Sequence, residues 1–241
     1  MGLSLGSFAI VAVAVVLASA LQASIGFGMG MLAAPVVALV DPGLLPGTLV
    51  ILAFVVTVMV VVTERQHIDL GGTGWALFGR VPGTIAGALL VAALPERGLA
   101  LLLAGVVLVG VALNSLGWQP RPVRRNLVTA GAASGLLGTA TSIGGPPMAL
   151  VWQQKHGAVL RSSMSSFFLV GSVLSFLALA ATGSVDQRTL LVTAALVPAP
   201  FLGWGLSLLL NRVMSPVRLR RTAIAVSIFG AVVLVADQLF G

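Results

Sequence analysis

Long stretches without a charged residue constrain what this chain can fold into. They cover residues 1–40, 43–63, 98–120, 126–154, 162–185, 189–211 and 222–236. A helix rises ~1.5 Å per residue, so ~20 apolar residues cross a hydrocarbon core ~30 Å thick. Lipid offers backbone groups no hydrogen-bond partner, so spanning segments are helices or closed barrels. Because these runs are too long for barrel strands and do not alternate, the sequence predicts an all-α polytopic membrane protein.

Composition supports the membrane class and excludes others. Hydrophobic residues make up 58% of the 241 residues and charged residues 8%, whereas a soluble domain is about a quarter charged. The chain has no cysteine, which rules out disulfides and iron–sulfur clusters. Its net charge of +7 resides in short loops, so it indicates membrane topology rather than nucleic-acid binding. The lipid bilayer is therefore the expected partner, and nucleic acid is not.

Two short motifs interrupt the apolar runs at corresponding places. Ser24-Ile25-Gly26 and Ser142-Ile143-Gly144 are 118 residues apart. Further matches at nearly the same offset are Val81-Pro82 and Gly87 with Val197-Pro198 and Gly203, and Leu99 and Gly110 with Leu219 and Gly230. We therefore predict two homologous repeats, residues 1–117 and 127–241, joined by a basic cytoplasmic linker at 118–126. Chance similarity of membrane segments is the alternative.

The distribution of basic residues chooses between two topologies. If each motif lies inside one crossing helix, the eight spans place seven basic residues on one side and five on the other, which gives no direction. If each broken segment is a re-entrant hairpin followed by three spans, one face carries Arg65, Arg121, Arg124, Arg125, Lys155, Arg161, Arg212, Arg218, Arg220 and Arg221, and the other only Arg97 and Arg188. Basic residues favour the cytoplasmic side. We therefore predict two inverted structural repeats in the cell inner (plasma) membrane, with both termini outside.

The breaks are also the candidate ligand site. Irregular backbone at membrane depth is tolerated where it is buried or lines a cavity, and paired breaks in two repeats point to a transport site. Half-helix starts present free N–H groups that favour an anion. The predicted substrate-binding residues are Gln22, Ser24, Gly26, Gly28, Gly30, Arg80, Thr141, Ser142, Gly144, Gly145 and Pro146. The alternative is that the small residues only pack helices closely.

Arg80 is the charged residue that lies within a predicted span, 71–94. An intramembrane charge is costly and usually functional, and a guanidinium binds oxyanions well. The alternative is an arginine that snorkels to the membrane surface. Its counterpart in the second repeat is Leu196, so the site is expected to be asymmetric. The nearby stripe of Gly79, Gly83 and Gly87 predicts close helix packing.

The inventory of reactive groups argues against an enzyme. The predicted spans contain no convincing acid–base pair, and four of the carboxylates fall in loops, whereas membrane hydrolases need such groups or a metal cluster. His67 and His156 lie at loop edges without partner ligands. We therefore predict no catalytic residue, no metal site and no cofactor.

The chain resembles the sulfite exporter TauE/SafE family. The resemblance rests on residues 26–30 (Gly-Phe-Gly-Met-Gly) with Pro35, on Gly135 and Gly138 followed by residues 143–147 (Ile-Gly-Gly-Pro-Pro), and on the spans carrying Pro82 and Pro198. It implies export or passage of sulfite, sulfoacetate and other small sulfur-containing or organic anions. The expected function is a permease for a small anion such as sulfite or an organosulfonate, and the alternatives are an anion channel and a non-transporting scaffold.

Overall fold

The computed structural model describes residues 3–115 and 120–213, with isolated positions at 218, 225, 228–230, 232–233 and 236. This part of the chain forms ten α-helices and no strand. They are α1 (Leu5–Ile25), α2 (Met29–Val40), α3 (Gly47–Glu64), α4 (Leu70–Ala93), α5 (Glu96–Ser115), α6 (Arg124–Thr141), α7 (Gly145–Val151), α8 (Gly157–Ala181), α9 (Gln187–Leu196) and α10 (Pro198–Val213). Short 3₁₀ helices at Pro42–Leu44 and Arg65–His67 precede and follow α3. The all-α prediction is confirmed.

Five helical stretches in the described residues are long and apolar enough to cross a membrane. They are Leu5–Ile25, Gly47–His67, Leu70–Ala93, Gly157–Ala181 and Gln187–Val213. The last combines α9 and α10, which are separated at Val197, before a proline that lacks the N–H of a regular turn. The predicted span 98–117 corresponds to α5, and the predicted span 219–239 falls almost wholly outside the described residues.

Both predicted breaks are present, and each contains at least one residue with left-handed backbone conformation. α1 ends at Gly26 with φ 89°, and Gly28 with φ 119° precedes α2. Glycine tolerates this region because it has no Cβ. The second break uses Ser142 at φ 62° between α6 and the segment that leads to α7.

Glycines let α4 and α6 pack backbone against backbone. A Cβ on Gly79 would lie 1.9 Å from the carbonyl oxygen of Val128, and one on Gly83 would lie 2.0 Å from that of Ala132. A Cβ on Gly131 of α6 would lie 2.0 Å from the carbonyl oxygen of Ala76. Small residues allow such close approach between membrane helices, so the predicted packing role of the glycine stripe is confirmed.

The helix contacts are reciprocal between the two halves. α6 packs along α4, where a Cβ on Gly87 would lie 2.6 Å from the carbonyl oxygen of Leu136. α1 packs along α10, where a Cβ on Gly203 would lie 2.5 Å from the carbonyl oxygen of Val16. Gly87 and Gly203 are a pair matched in sequence at an offset of 116. The first helix of each half therefore packs on the helix that carries this glycine in the other half.

Ion pairs connect neighbouring segments at the two ends of the bundle. At one end Lys155 pairs with Asp69, and Arg161 pairs with Glu64. At the other end Arg188 pairs with Asp41, which follows α2. Asp69 also caps α4, where its Oδ1 accepts the Gly72 N–H at 3.0 Å. The Lys155 ammonium and this N–H hold the pKa of the Asp69 carboxyl below its ordinary value.

Candidate functional site

The two breaks touch each other inside the bundle. A Cβ on Gly30 would lie 1.9 Å from the carbonyl oxygen of Ser142, and one on Gly145 would lie 2.7 Å from the ring of Phe27. Both contacts therefore require glycine. Next to them is a cavity of ≈ 40 Å³, which holds about three water-sized molecules at ~10–15 Å³ each.

This cavity collects seven of the eleven predicted site residues. They are Gln22, Gly28, Gly30, Arg80, Ser142, Gly144 and Gly145. The remaining lining residues are Met29, Met31, Leu49, Val50, Ala53, Gly138, Ile143, Phe168, Ser172 and Ser175. The lining therefore combines both breaks with residues of α3, α6 and α8 and with Arg80 of α4.

Gln22 closes the first break. The Met29 N–H, at the start of α2, donates to Gln22 Oε1 at 3.2 Å. The side chain is buried, with 4% of the residue exposed. Its Nε2 has no hydrogen-bond partner within residues 3–115 and 120–213. Gln22 thus satisfies one orphan donor of the helix start and leaves its own donors for another group.

Arg80 carries the positive charge of the cavity. It is the eleventh of the 24 residues of α4 and is 3% exposed. Its Nη1 donates to Ser134 Oγ at 3.3 Å, and its Cζ lies 4.7 Å and 5.4 Å from the ring centroids of Phe167 and Phe168. Its Nε has no hydrogen-bond partner among the residues that the structure describes. The guanidinium is held inside the bundle, which is not the geometry of a snorkelling side chain.

Two further residues position this guanidinium. Gly171 of α8 leaves room for it, because a Cβ there would lie 2.0 Å from Arg80 Nε. Ser134 of α6 donates its own proton to the carbonyl oxygen of Gly144 at 2.6 Å, so its oxygen accepts from Arg80. Ser134 thereby links the charged helix of one half to the break of the other.

Sequence reasoning missed Ser134, Gly171 and the two phenylalanines. The available signals were the position of Ser134 beside the Gly135-xx-Gly138 motif and the helical spacing of Gly171, Ser172 and Ser175 on α8. Such spacing of small polar residues is common in membrane helices, so it does not single out a site.

The positive charge of Arg80 has no carboxylate partner in the described part of the chain. The three ion pairs there involve Asp41, Glu64 and Asp69, each with another basic residue. Asp186 caps α9 by accepting the Thr189 N–H. A buried charge is costly unless it is paired, so a cavity lined by this cation and the free Gln22 donors favours an anion.

The other four predicted residues lie outside the cavity lining. Gly26 packs on α8, where its Cβ would lie 2.9 Å from Met164 Cβ. Ser24 is buried, and its Oγ has no hydrogen-bond partner in the described part of the chain. Thr141 Oγ1 accepts the Ile143 N–H at 3.3 Å and caps the second break. Pro146 lines a separate apolar cavity of ≈ 400 Å³ beside α5.

Apolar helices around two broken segments define a multi-pass membrane protein, and its internal cavity is lined by a buried cation where the breaks meet. This architecture is typical of secondary transporters. The chain belongs to the sulfite exporter TauE/SafE family, whose model matches residues 11–234. It is therefore a member of a membrane-transporter family, as the resemblance predicted. No curated protein and no solved structure matches the chain.

Proposed function

We propose that this protein is a permease for a small oxyanion, sulfite or a small organosulfonate, which binds in the cavity between the two breaks. The observation that carries the proposal is Arg80, a buried cation in the middle of a long apolar helix with no carboxylate partner in the described residues. A bound anion offsets the cost of burying this charge.

The donors around the cavity fit an oxyanion. Arg80 Nε and Gln22 Nε2 both lack acceptors among the described residues, and glycines 28, 30, 144 and 145 bring backbone close to the cavity. Hydrogen bonds from charged donors to an anionic oxygen are short and strong. At ≈ 40 Å³, the cavity in this conformation suits an anion of about four heavy atoms, such as sulfite, better than a longer organosulfonate.

For topology we propose inverted repeats with re-entrant hairpins and both termini outside. Gly26, at the end of α1, packs on Arg161 near the start of α8, whereas Asp41, after α2, pairs with Arg188 beyond the end of α8. α2 therefore runs back along the bundle from the break. The reciprocal contacts of α1 with α10 and α6 with α4 support two halves related by a pseudo-twofold axis.

Cysteine labelling tests this topology, since the chain has no native cysteine. Single cysteines at Gly2, Gly241 and Arg188 should react with an impermeant maleimide added outside spheroplasts, and one at Arg65 should react only after lysis. Labelling of the two terminal positions from the cytoplasmic side alone would remove the hairpin model.

The direction of transport follows from the membrane potential. With the interior negative, each negative charge that leaves gains ~2.3 kcal/mol per 100 mV, so outward passage of an anion needs no coupled ion. In liposomes, sulfite flux should rise with an imposed potential of the appropriate sign and saturate at high sulfite. A sulfite flux that does not change with the membrane potential contradicts uniport. A flux that does not saturate with sulfite concentration favours the alternative of an anion channel.

Arg80 variants test the site itself. We expect sulfite to raise the melting temperature of the purified wild-type protein, because a ligand that binds the folded state stabilises it. Arg80→Gln should abolish this shift and the flux, whereas Arg80→Lys should retain part of both because it keeps the charge but not the fork of donors. Unchanged flux in Arg80→Gln would contradict the site, and absence of any flux in the wild type favours the scaffold alternative.

A further inference from the structure

We infer that Gln22 is a specificity-determining residue whose amide offers the cavity hydrogen-bond donors only. The inference rests on the proposed function and deepens it. The transported species must then place an oxygen lone pair against Gln22 Nε2, in addition to carrying negative charge for Arg80.

The orientation of the Gln22 amide is fixed by chemistry. The atom that faces Gln22 is the backbone N–H of Met29, at 3.2 Å, and an N–H can only donate. The amide oxygen must therefore face Met29, whatever ambiguity an amide flip normally carries. Rotating the amide would set a donor against a donor at the start of α2. The NH₂ group is thus held on the other side, away from the helix start.

The NH₂ group is buried, and it belongs to a residue that lines the shared cavity. Gln22 is 4% exposed and lines the cavity together with Arg80. Its Nε2 has no acceptor in the part of the chain that the structure describes. Leaving a buried donor unsatisfied costs ~1–3 kcal/mol, and a bound acceptor removes that cost. The first break therefore supplies a directed donor, whereas Arg80 supplies charge.

The different roles of Arg80 and Gln22 determine which anions bind. A guanidinium attracts any nearby anion. The fixed amide binds more tightly those anions whose oxygen lone pair lies at one position relative to Met29. If a ligand places an N–H at that position, two hydrogen-bond donors face each other and both stay unsatisfied. Selectivity in such polar sites comes from the groups left unpaired by the wrong ligand.

Two near-isosteric substitutions separate this role from simple capping of α2. Gln22→Glu keeps an oxygen to accept the Met29 N–H but replaces the donor by a second, negatively charged oxygen. Gln22→Met loses both functions and introduces no charge. Because the new carboxylate of Gln22→Glu repels the anion under either role, Gln22→Met is the decisive variant. A purely structural role predicts that folded Gln22→Met binds sulfite like wild type, whereas the proposed role predicts weaker binding.

The test is calorimetric titration of sulfite into the full-length purified protein at pH 8. We expect the dissociation constant to rise about tenfold in Gln22→Met, the value of one net hydrogen bond, and at least about a hundredfold in Gln22→Glu, where a carboxylate faces the anion. Melting temperatures without sulfite should rank Gln22→Glu at or above Gln22→Met, which shows that weaker binding does not reflect poorer folding.

The possible failures are distinguishable. Binding by Gln22→Glu within about threefold of wild type, or unchanged binding by Gln22→Met, overturns the role of Gln22 while the proposed function stands. If wild type itself binds neither sulfite nor methanesulfonate, the proposed function fails and the inference fails with it.

Discussion

The two breaks both contain left-handed backbone, but their side-chain chemistry differs. The first has glycine at both left-handed positions, 26 and 28, and is closed by the Gln22 side chain. The second has the non-glycine residue Ser142 at φ 62°, with the hydroxyls of Thr141 and Ser134 bonded to its backbone. The first thus contributes a free amide donor to the cavity, and the second contributes backbone held in place by hydroxyls.

The cation also belongs to one half only. Arg80 lies on α4, and the position 116 residues later is Leu196, which is buried in the apolar core. Arg80 is nevertheless held by Ser134, which lies in the other half. The two breaks therefore meet inside the bundle, while only the first half of the chain supplies the buried charge. The site depends on both halves, and variants of each half should reveal it.

The largest expected effect comes from filling the space beside the charge. In Gly171→Ala the new Cβ would lie 2.0 Å from Arg80 Nε, so the guanidinium must move. We expect sulfite affinity to fall at least about a hundredfold, because a displaced cation loses its direct contact with the anion. Gly205→Ala is the matched control, since nothing lies within 4 Å of its Cβ. Equal affinities of the two variants, measured by calorimetry, would contradict the placement of Arg80.

Substitution of the left-handed residues in the two breaks should change stability to different extents. Gly26→Ala adds a Cβ at φ 89° and 2.9 Å from Met164 Cβ, and we expect a loss of about 1–3 kcal/mol in unfolding free energy. Ser142→Gly relieves a left-handed serine but loses a 3.3 Å hydrogen bond to the Pro46 carbonyl, so its change should stay below about 1 kcal/mol. Denaturant unfolding in detergent measures both, and a larger loss in Ser142→Gly would reverse the comparison.

Removing the hydrogen bonds by which Ser134 connects the two halves should have a moderate effect. Ser134→Ala removes the bonds to Gly144 and Arg80, and we expect sulfite affinity to fall about tenfold, near the value of one net hydrogen bond. Ser207→Ala is the control, because that hydroxyl bonds only within its own helix, to Trp204. If Ser134 matters only for stability, the melting temperature will fall while the dissociation constant of sulfite stays unchanged.

The smallest effect concerns the ion pair of Asp69 with Lys155. The pKa of the Asp69 carboxyl is lower in the folded state than its ordinary value of 3.8. Stability from this pair is therefore full above about pH 4 and is lost as pH falls through the folded-state pKa. Because the carboxyl is partly exposed, the contribution should be under about 1 kcal/mol. Asp69→Asn should reduce the loss of melting temperature between pH 5 and pH 3, and an unchanged loss would show that the pair adds nothing.

The breaks and Arg80 could be predicted because each violates a local rule. Glycine-rich irregular backbone and a charge are both exceptional inside apolar helices. Ser134 and Gly171 violate no such rule, and their roles arise only when α6 and α8 approach α4. Ser24 was placed with Gln22 by proximity in sequence, but two residues along a helix turn a side chain by about 200°. The sequence therefore locates the breaks better than it assigns their side chains to the cavity.

The most direct test of the account is to locate the anion. Selenite has the shape of sulfite and a selenium atom that scatters anomalously, so crystals grown with selenite would show its position as an anomalous peak. The account predicts one strong peak about 4 Å from both Arg80 Nε and Gln22 Nε2, the distance expected when oxygens accept from both groups. A selenium peak at another site, with no peak between the two breaks, would contradict it.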